Sequence, residues 1–363
     1  MPAPSETIWP IEPHTRAKHE ILRRYLGAWF PILNTYHGRI VYMDGFAGPG
    51  EYEGGEPGSP IIALDVAANH RKQMGGEVVF WFVDEREDRI DHLKELVYRR
   101  AMSKNFVLEI THGKFHEVLA RELHKLETKG AVIAPTFVFI DPFGFSGIPM
   151  SLIQRLLGYS RTEAFITFQT SYVNRFLEHP NPEITAHMIE LFGTEEILKI
   201  ATGSGDRMAN LRSLYQKQLR EAARYVRYFN MRDHRNTSIY DLFFAGNHEL
   251  GHYRMKEAMW RVDPDGEFTF SDATDPVQPV LFTLDHSLSL LNAICAAFGK
   301  KVDMPINQIK KWVRNETPFL DTHMNAALKL GEQETRILVN SIRRDGKPRR
   351  KGTFPDEVLV SFP

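Results

Sequence analysis

The sequence contains a single cysteine, Cys295, among 363 residues. An intrachain disulfide framework and a Cys-rich zinc site are both excluded, and the usage suits a reducing compartment. Cys295 lies in the apolar run LLNAICAAF, which assigns it to core packing. Long apolar runs are missing too: none reaches the roughly 18 residues of a membrane span. The N-terminus, MPAPSETIWPIEPH, has no apolar core and carries prolines, unlike a signal peptide. The expectation is a cytoplasmic protein with no membrane role. Charge of one sign is also lacking. A net charge of −1 gives no global pull on nucleic acid, so any such contact must come from local patches. Apolar (42%) and charged (25%) fractions are those of an ordinary globular protein, and the length allows two domains.

What is present begins with Ile40–Gly50, IVYMDGFAGPG. An apolar run stops at Asp44 and enters a loop with Gly45, Gly48 and Gly50. Open α/β sheets build ligand crevices in this way, at a strand's carboxyl end. The spacing is G-x-x-G-x-G, not the G-x-G-x-x-G of dinucleotide enzymes. An acid running into Phe-Ala-Gly-Pro-Gly resembles motif I of class I S-adenosylmethionine (SAM) methyltransferases. It is most similar to the D-x-F-A-G-x-G form of cytosine carbon-5 DNA methyltransferases. The resemblance implies that Asp44, Phe46, Gly48 and Gly50 hold the methionine end of SAM. No Pro-Cys nucleophile is present, so the carbon-5 mechanism itself is excluded.

The rest of the chain alternates in the same manner. An amphipathic helix is expected over 14–30, with Ile21, Leu22, Tyr25, Leu26 and Trp29 on one face. Arg16, Lys18, Glu20, Arg23 and Arg24 fill the other. Strands are expected at 39–44, 78–83, 106–110, 136–140, 164–168 and 240–245, with helices between them. Ser59-Pro60 reads as a helix start with Ser as N-cap. Residues 172–235 read as a helical insertion, and 251–262 as a helix. This predicts a doubly wound, mostly parallel, Rossmann-like α/β domain over 1–275. From 280 to 363, helices at 286–298, 306–314 and 320–329 precede strands at 335–342 and 357–362. That is the layout of a winged helix-turn-helix.

Three expected strands end in acids: Asp44, Asp84 and Asp141. In a SAM site the acid ending the second strand accepts the ribose hydroxyls. Asp84 fits this role, with Glu85 as the alternative, because a carboxylate offers two acceptor oxygens. The plain alternative is a helix cap or a surface acid. After the third strand, Thr111 and His112 are candidates for the adenine amino group, and His112 reads equally as a surface histidine. Asp141-Pro142-Phe143-Gly144 stands where amino-methyltransferases carry D/N-P-P-aromatic, which would place Asp141 and Phe143 at the acceptor. Here the aromatic comes one position early and the second proline is missing, so a turn shaping the pocket floor is the competing reading. No metal site is expected.

Two basic features could meet nucleic acid. Arg220, Arg224 and Arg227 fall at i, i+4, i+7, as on one helix face, with Tyr225, Tyr228 and Phe229 interleaved. A solvated face over an aromatic stripe explains them equally well. In the expected wing, Arg343, Arg344, Lys347, Arg349, Arg350 and Lys351 make a basic tip suited to phosphates; a solubilising loop is the alternative.

With these residues in place, the chain resembles the three-Cys-motif partner (TcmP) family. The likeness is carried by Lys18, His19, Leu22 and Tyr25, by YMDGFAGPG (42–50), GSP (58–60) and FIDPFG (139–144), by 240–260, and by RRKGTF (349–354). It implies a SAM-methyltransferase-like fold with a winged-helix tail. It also implies a neighbouring radical-SAM-type partner with a three-cysteine motif, and DNA or RNA as a target. Two readings follow: a SAM-dependent methyltransferase acting on or with nucleic acid, or a catalytically silent DNA-binding adaptor for that partner. A small-molecule methyltransferase with a winged-helix dimerisation tail is a third.

Overall fold

The first helix, α1 (Pro13–Tyr36), leads into the central strand, β1 (Arg39–Asp44). The structure, a computed structural model, describes residues 4–36, 38–71, 74–144, 147–263, 265–273, 285–340, 342 and 345–363. Four further strands follow in parallel: β2 (Glu77–Asp84), β3 (Phe106–His112), β4 (Thr136–Ile140) and β5 (Thr162–Phe168). Between them run α2 (Ser59–Ala68), α3 (Glu87–Tyr98), α4 (Phe115–Thr128) and α5 (Met150–Leu157). Every residue of β4 and β5 is buried, as strands covered on both faces require.

After β5 the chain forms α6 (Thr170–Phe176), α7 (Pro182–Phe192), α8 (Glu196–Thr202) and α9 (Arg207–Arg220). It returns to the sheet as β6 (Tyr225–Arg232), β7 (Ser238–Gly246), α10 (Glu249–Trp260) and β8 (Thr269–Ser271). The sheet order is β3-β2-β1-β4-β5-β7-β6-β8, with β7 antiparallel to both neighbours. This is an α/β fold with a mostly parallel, Rossmann-like sheet. The strand order reverses between β1 and β4, the point where open α/β sheets leave a crevice beyond their strand ends. Asp44 and Asp141 stand at that reversal.

Several sequence expectations are corrected. The helical insertion stops at Arg220, because 225–232 is a strand. Its Val226, Phe229 and Met231 are buried, and its pairing with β7 outweighs local helical spacing. Arg220, Arg224 and Arg227 therefore share no helix face. Arg220 ends α9, Arg224 lies in the turn, and Arg227 sits in β6. Lys18, placed on the polar face of α1, is buried. Helix α1 continues through Pro31 to Tyr36. Ser59 is not the cap of α2: Gly58 occupies that position and Ser59 is the first helical residue. Residues 269–271, where no strand was expected, form β8 at the sheet edge.

The second compact unit takes in residues 263 and 265–268 and the C-terminal stretch that includes α11 (Ser287–Phe298). It contains β9 (Met304–Pro305), α12 (Ile306–Glu316), α13 (Asp321–Gln333), β10 (Leu338–Val339) and β11 (Leu359–Ser361). The strands form an antiparallel sheet in the order β10-β11-β9, so both expected strands are shorter than read and a third joins them. Its core packs Leu290, Leu291, Ile294, Ile309, Leu328 and Val360, with Cys295 half-buried against it. The junction expected at 275–280 lies outside the described residues. Among the described residues, no helix is long and apolar enough to cross a membrane.

Candidate functional site at the carboxyl rim of the sheet

Asp44 ends β1 with no exposed surface. Its Oδ1 accepts the Phe46 N–H at 3.2 Å, Tyr42 approaches Oδ2 at 3.3 Å, and the Ser59 hydroxyl donates to the same carboxylate. These donors do not offset the loss of water, and burial pushes the Asp44 carboxyl up to about 7. Above it, Gly48 and Gly50 hold φ of 63° and 90°, backbone that an L side chain adopts only with strain. At Gly50 a Cβ would also stand 2.7 Å from the Leu93 Cδ1 methyl on α3, which would have to move to admit it.

Asp84 ends β2 beside that loop. Its Oδ2 accepts the Gly48 N–H at 2.9 Å and its Oδ1 the Arg86 N–H at 2.9 Å. The residue expected to hold a ribose thus also braces the glycine loop, leaving further acceptor capacity on each oxygen. Burial raises its carboxyl, against these two backbone bonds. Glu85 is exposed, and its carbonyl accepts the His112 Nε2–H at 3.0 Å. A carbonyl can only accept, so the proton of a neutral His112 ring is on Nε2 and Nδ1 is an acceptor. In the sheet register His112 stands beside Asp84. The fold therefore brings Asp44, Phe46, Gly48, Gly50, Asp84, Glu85 and His112 to one rim.

Asp141, one residue beyond β4, faces a cation that the sequence reading left on the surface. The Lys18 Nζ lies 2.5 Å from Asp141 Oδ2 and 5.3 Å from the Tyr240 ring centre. The neighbouring His19 is held neutral: burial, and then the Lys18 charge, push its ring down to about 3. The hydroxyls of Tyr52 and Tyr240 are pushed up by burial and by the nearby acids. The Pro142 carbonyl accepts an N–H from Gln169 at 3.2 Å, tying the Asp-Pro-Phe-Gly turn to the end of β5. A signal for Lys18 existed in its i, i+4 spacing from the apolar Leu22, which places it on the inward face.

The N-terminal segment crosses this rim, a feature with no sequence signature. Trp9 packs edge-on to Phe143 at 5.8 Å and to Tyr52 at 5.7 Å, with the Arg89 guanidinium 4.6 Å from its ring centre. The Arg86 guanidinium donates to the Pro4 and Ser5 carbonyls at 2.9 Å, and Arg89 to Pro4 at 2.9 Å. Thr7 donates to Asp88 at 2.5 Å, and the Trp9 carbonyl accepts the Glu53 N–H at 3.0 Å. Phe143 thus meets Trp9 and Arg89, and residues 4–9 roof the rim.

In the second unit, the Arg349 guanidinium bonds Glu332 and the Asn340 and Thr353 carbonyls, with its side chain 4% exposed. Arg349 therefore fastens the loop and is not a free phosphate ligand. Lys347, Arg350 and Lys351 are exposed. Arg343 and Arg344 lie outside the described residues.

The donor set at the rim suits SAM. Asp44 lies beneath a loop that carries no side chain of its own at Gly48 and Gly50, and Asp84 and Glu85 stand together at the next strand end. No protein-family model and no curated protein matches the sequence. Solved structures similar to this chain include Trm1 from Pyrococcus horikoshii in complex with S-adenosyl-L-methionine, at 12% identity, covering 100% of this chain and 94% of that one, TM-score 0.38. Another is human methyltransferase-like protein 13 in complex with SAH, at 10% identity, 76% and 99% coverage, TM-score 0.37. A methyltransferase candidate from Porphyromonas gingivalis W83 is 9% identical, TM-score 0.28; the match covers 58% of this chain and 37% of that one. Likenesses this distant leave the site to be read from its own geometry.

Proposed function

We propose that the rim binds SAM and that the protein is a SAM-dependent methyltransferase acting on or with nucleic acid. The observation that carries this is the buried Asp44 beneath the Gly48–Gly50 loop, at the strand-order reversal, with the Asp84 carboxylate fixing the same loop. Asp44 and the loop would hold the methionine end, Asp84 and Glu85 the ribose, and His112 Nδ1 an amino group. Bound SAM supplies an activated methyl, so the chain's own task is alignment in a dry pocket. Trp9, Phe143 and Arg89, packed on one another, would exclude water over the rim. Asp141, held by Lys18, would face the acceptor. The resemblance to three-Cys-motif partner proteins supports a radical-SAM-type partner. The three helices and three-stranded sheet at the C-terminus support a winged helix with Lys347, Arg350 and Lys351 at its tip.

Calorimetry with SAM tests the proposal, and failure to bind at millimolar ligand would sink it. Neutralising Lys347, Arg350 and Lys351 together should flatten the salt dependence of nucleic-acid binding, by about 0.9 in log–log slope per lost phosphate contact. An unchanged slope would remove the wing from the interface.

A second reading has its own support. Asp141 is ion-paired and the Pro142 carbonyl already accepts Gln169, so the turn is less open than an amine-binding turn needs to be. An adaptor that keeps the cradle for structure and serves the partner fits that geometry. Transfer of labelled methyl from SAM to nucleic acid would refute it.

A further inference from the structure

At the amino-terminal edge of the sheet, opposite the rim, lies a cavity of about 470 Å³, within the usual size of small-molecule sites. Glu163, the second residue of β5, forms its floor. Five residues of strand separate it from Phe168, about 17 Å at the usual rise. The cavity is therefore distinct from the candidate SAM site. Its walls come from Tyr25 and Trp29 on α1 and from Gly251 and Arg254 on α10.

Glu163 is buried, and its carboxylate receives two donors: the Tyr25 hydroxyl at 2.5 Å and the Trp29 indole N–H. In its ionised form, reached above about pH 7, a carboxylate has about four acceptor positions, so two remain. The backbone at Gly251 is shaped around this acid, since a Cβ there would lie 1.9 Å from Glu163 Oε1. One turn along α10, Arg254 pairs through Nη1 with Glu257 at 2.6 Å, yet its buried Nε has no partner among the described residues. Residues three apart share a helix face, so Arg254 and Gly251 stand side by side on the cavity wall. His248 and Arg161 line the same cavity.

We propose that this cavity is a second ligand site, taking a planar heteroaromatic ring with two adjacent N–H donors beside a carbonyl: a free guanine nucleoside or nucleotide. The N1–H and N2–H would donate to Glu163, and Trp29 would supply aromatic surface. His248 and Arg161 would face a phosphate.

Titration calorimetry of the full chain with guanosine 5′-monophosphate tests this. Binding is expected for the guanine nucleotide and not for its adenine counterpart. The inosine analogue, which lacks the N2 amine, should bind about tenfold more weakly, as loss of one bond to a charged group implies. Glu163→Gln, which keeps the side-chain shape and one acceptor oxygen for Tyr25, should fold and weaken binding by about tenfold or more. Ser160→Trp, at an exposed position on the cavity lining, should block binding without touching the core. Absence of heat at millimolar nucleotide, equal binding of guanine and adenine nucleotides, or full affinity in Ser160→Trp would overturn the proposal. SAM binding by the same preparation reports on the rim separately.

Discussion

Lys18 of α1 and Asp141 beyond β4, 123 positions apart in sequence, meet at 2.5 Å beneath the Tyr240 ring. The pair clamps the first helix onto the strand end that would face an acceptor. Breaking a buried pair leaves its partner uncompensated, at a cost of about 3 kcal/mol. Lys18→Met should therefore lose roughly this much stability in denaturant melts, and adding Asp141→Asn should recover much of it. Strict additivity of the two substitutions would mean that the pair contributes no coupling.

Asp44 and Glu163 set a pH dependence of stability. Burial pushes both carboxyls up to about 7 from ordinary values near 4. Each therefore holds its proton more tightly in the folded chain than in the unfolded one. Their contribution is complete at pH below about 4 and is lost as pH rises through 7. Asp44→Asn and Glu163→Gln should each gain on the wild type by up to about 1.4 kcal/mol per pH unit between pH 5 and 7. Melts at pH 5, 6 and 7 measure the slope. A constant difference across that range would show that the group does not titrate there.

Asp84 has two tasks that separate experimentally. Asp84→Ala removes the acceptor of the Gly48 and Arg86 N–H groups as well as the proposed ribose ligand. SAM affinity should fall by more than about 1.5 kcal/mol, and the apo protein should lose about 2 kcal/mol besides. Intact apo stability in a thermal melt would contradict the bracing role.

Trp9 makes aromatic contacts to Phe143 and Tyr52 and lies under Arg89. Trp9→Ala should weaken the docking of residues 4–12 by about 2 kcal/mol. Limited proteolysis should then cut this segment faster, and SAM should associate faster in stopped-flow measurements. Unchanged cleavage and association rates would mean that the segment does not cover the rim.

Six of the strands of the main sheet, the glycine loop and the acids at the strand ends were legible in the sequence because they are local. A strand shows as an apolar run, and a turn shows as glycine after it. The strand at 225–232 was not, because arginines at helical spacing masked a segment whose partner, β7, decides its conformation. The same limit hid Lys18, where local charge argued for the surface and a distant carboxylate argued for the interior.

By itself, then, the sequence determined that an acid and a glycine loop follow the first strand, and that two further strands end in carboxylates. The tertiary structure decided what those groups touch. Asp84 spans to Gly48, Lys18 neutralises Asp141, and Trp9 lies over Phe143. The physical reason is that periodicity reports each residue's preference for water or core, whereas partners are fixed by chain closure over tens to hundreds of residues. At Asp44 the two meet: the sequence places the carboxylate at a strand end, and the sheet alone buries it fully enough to hold its proton near neutrality.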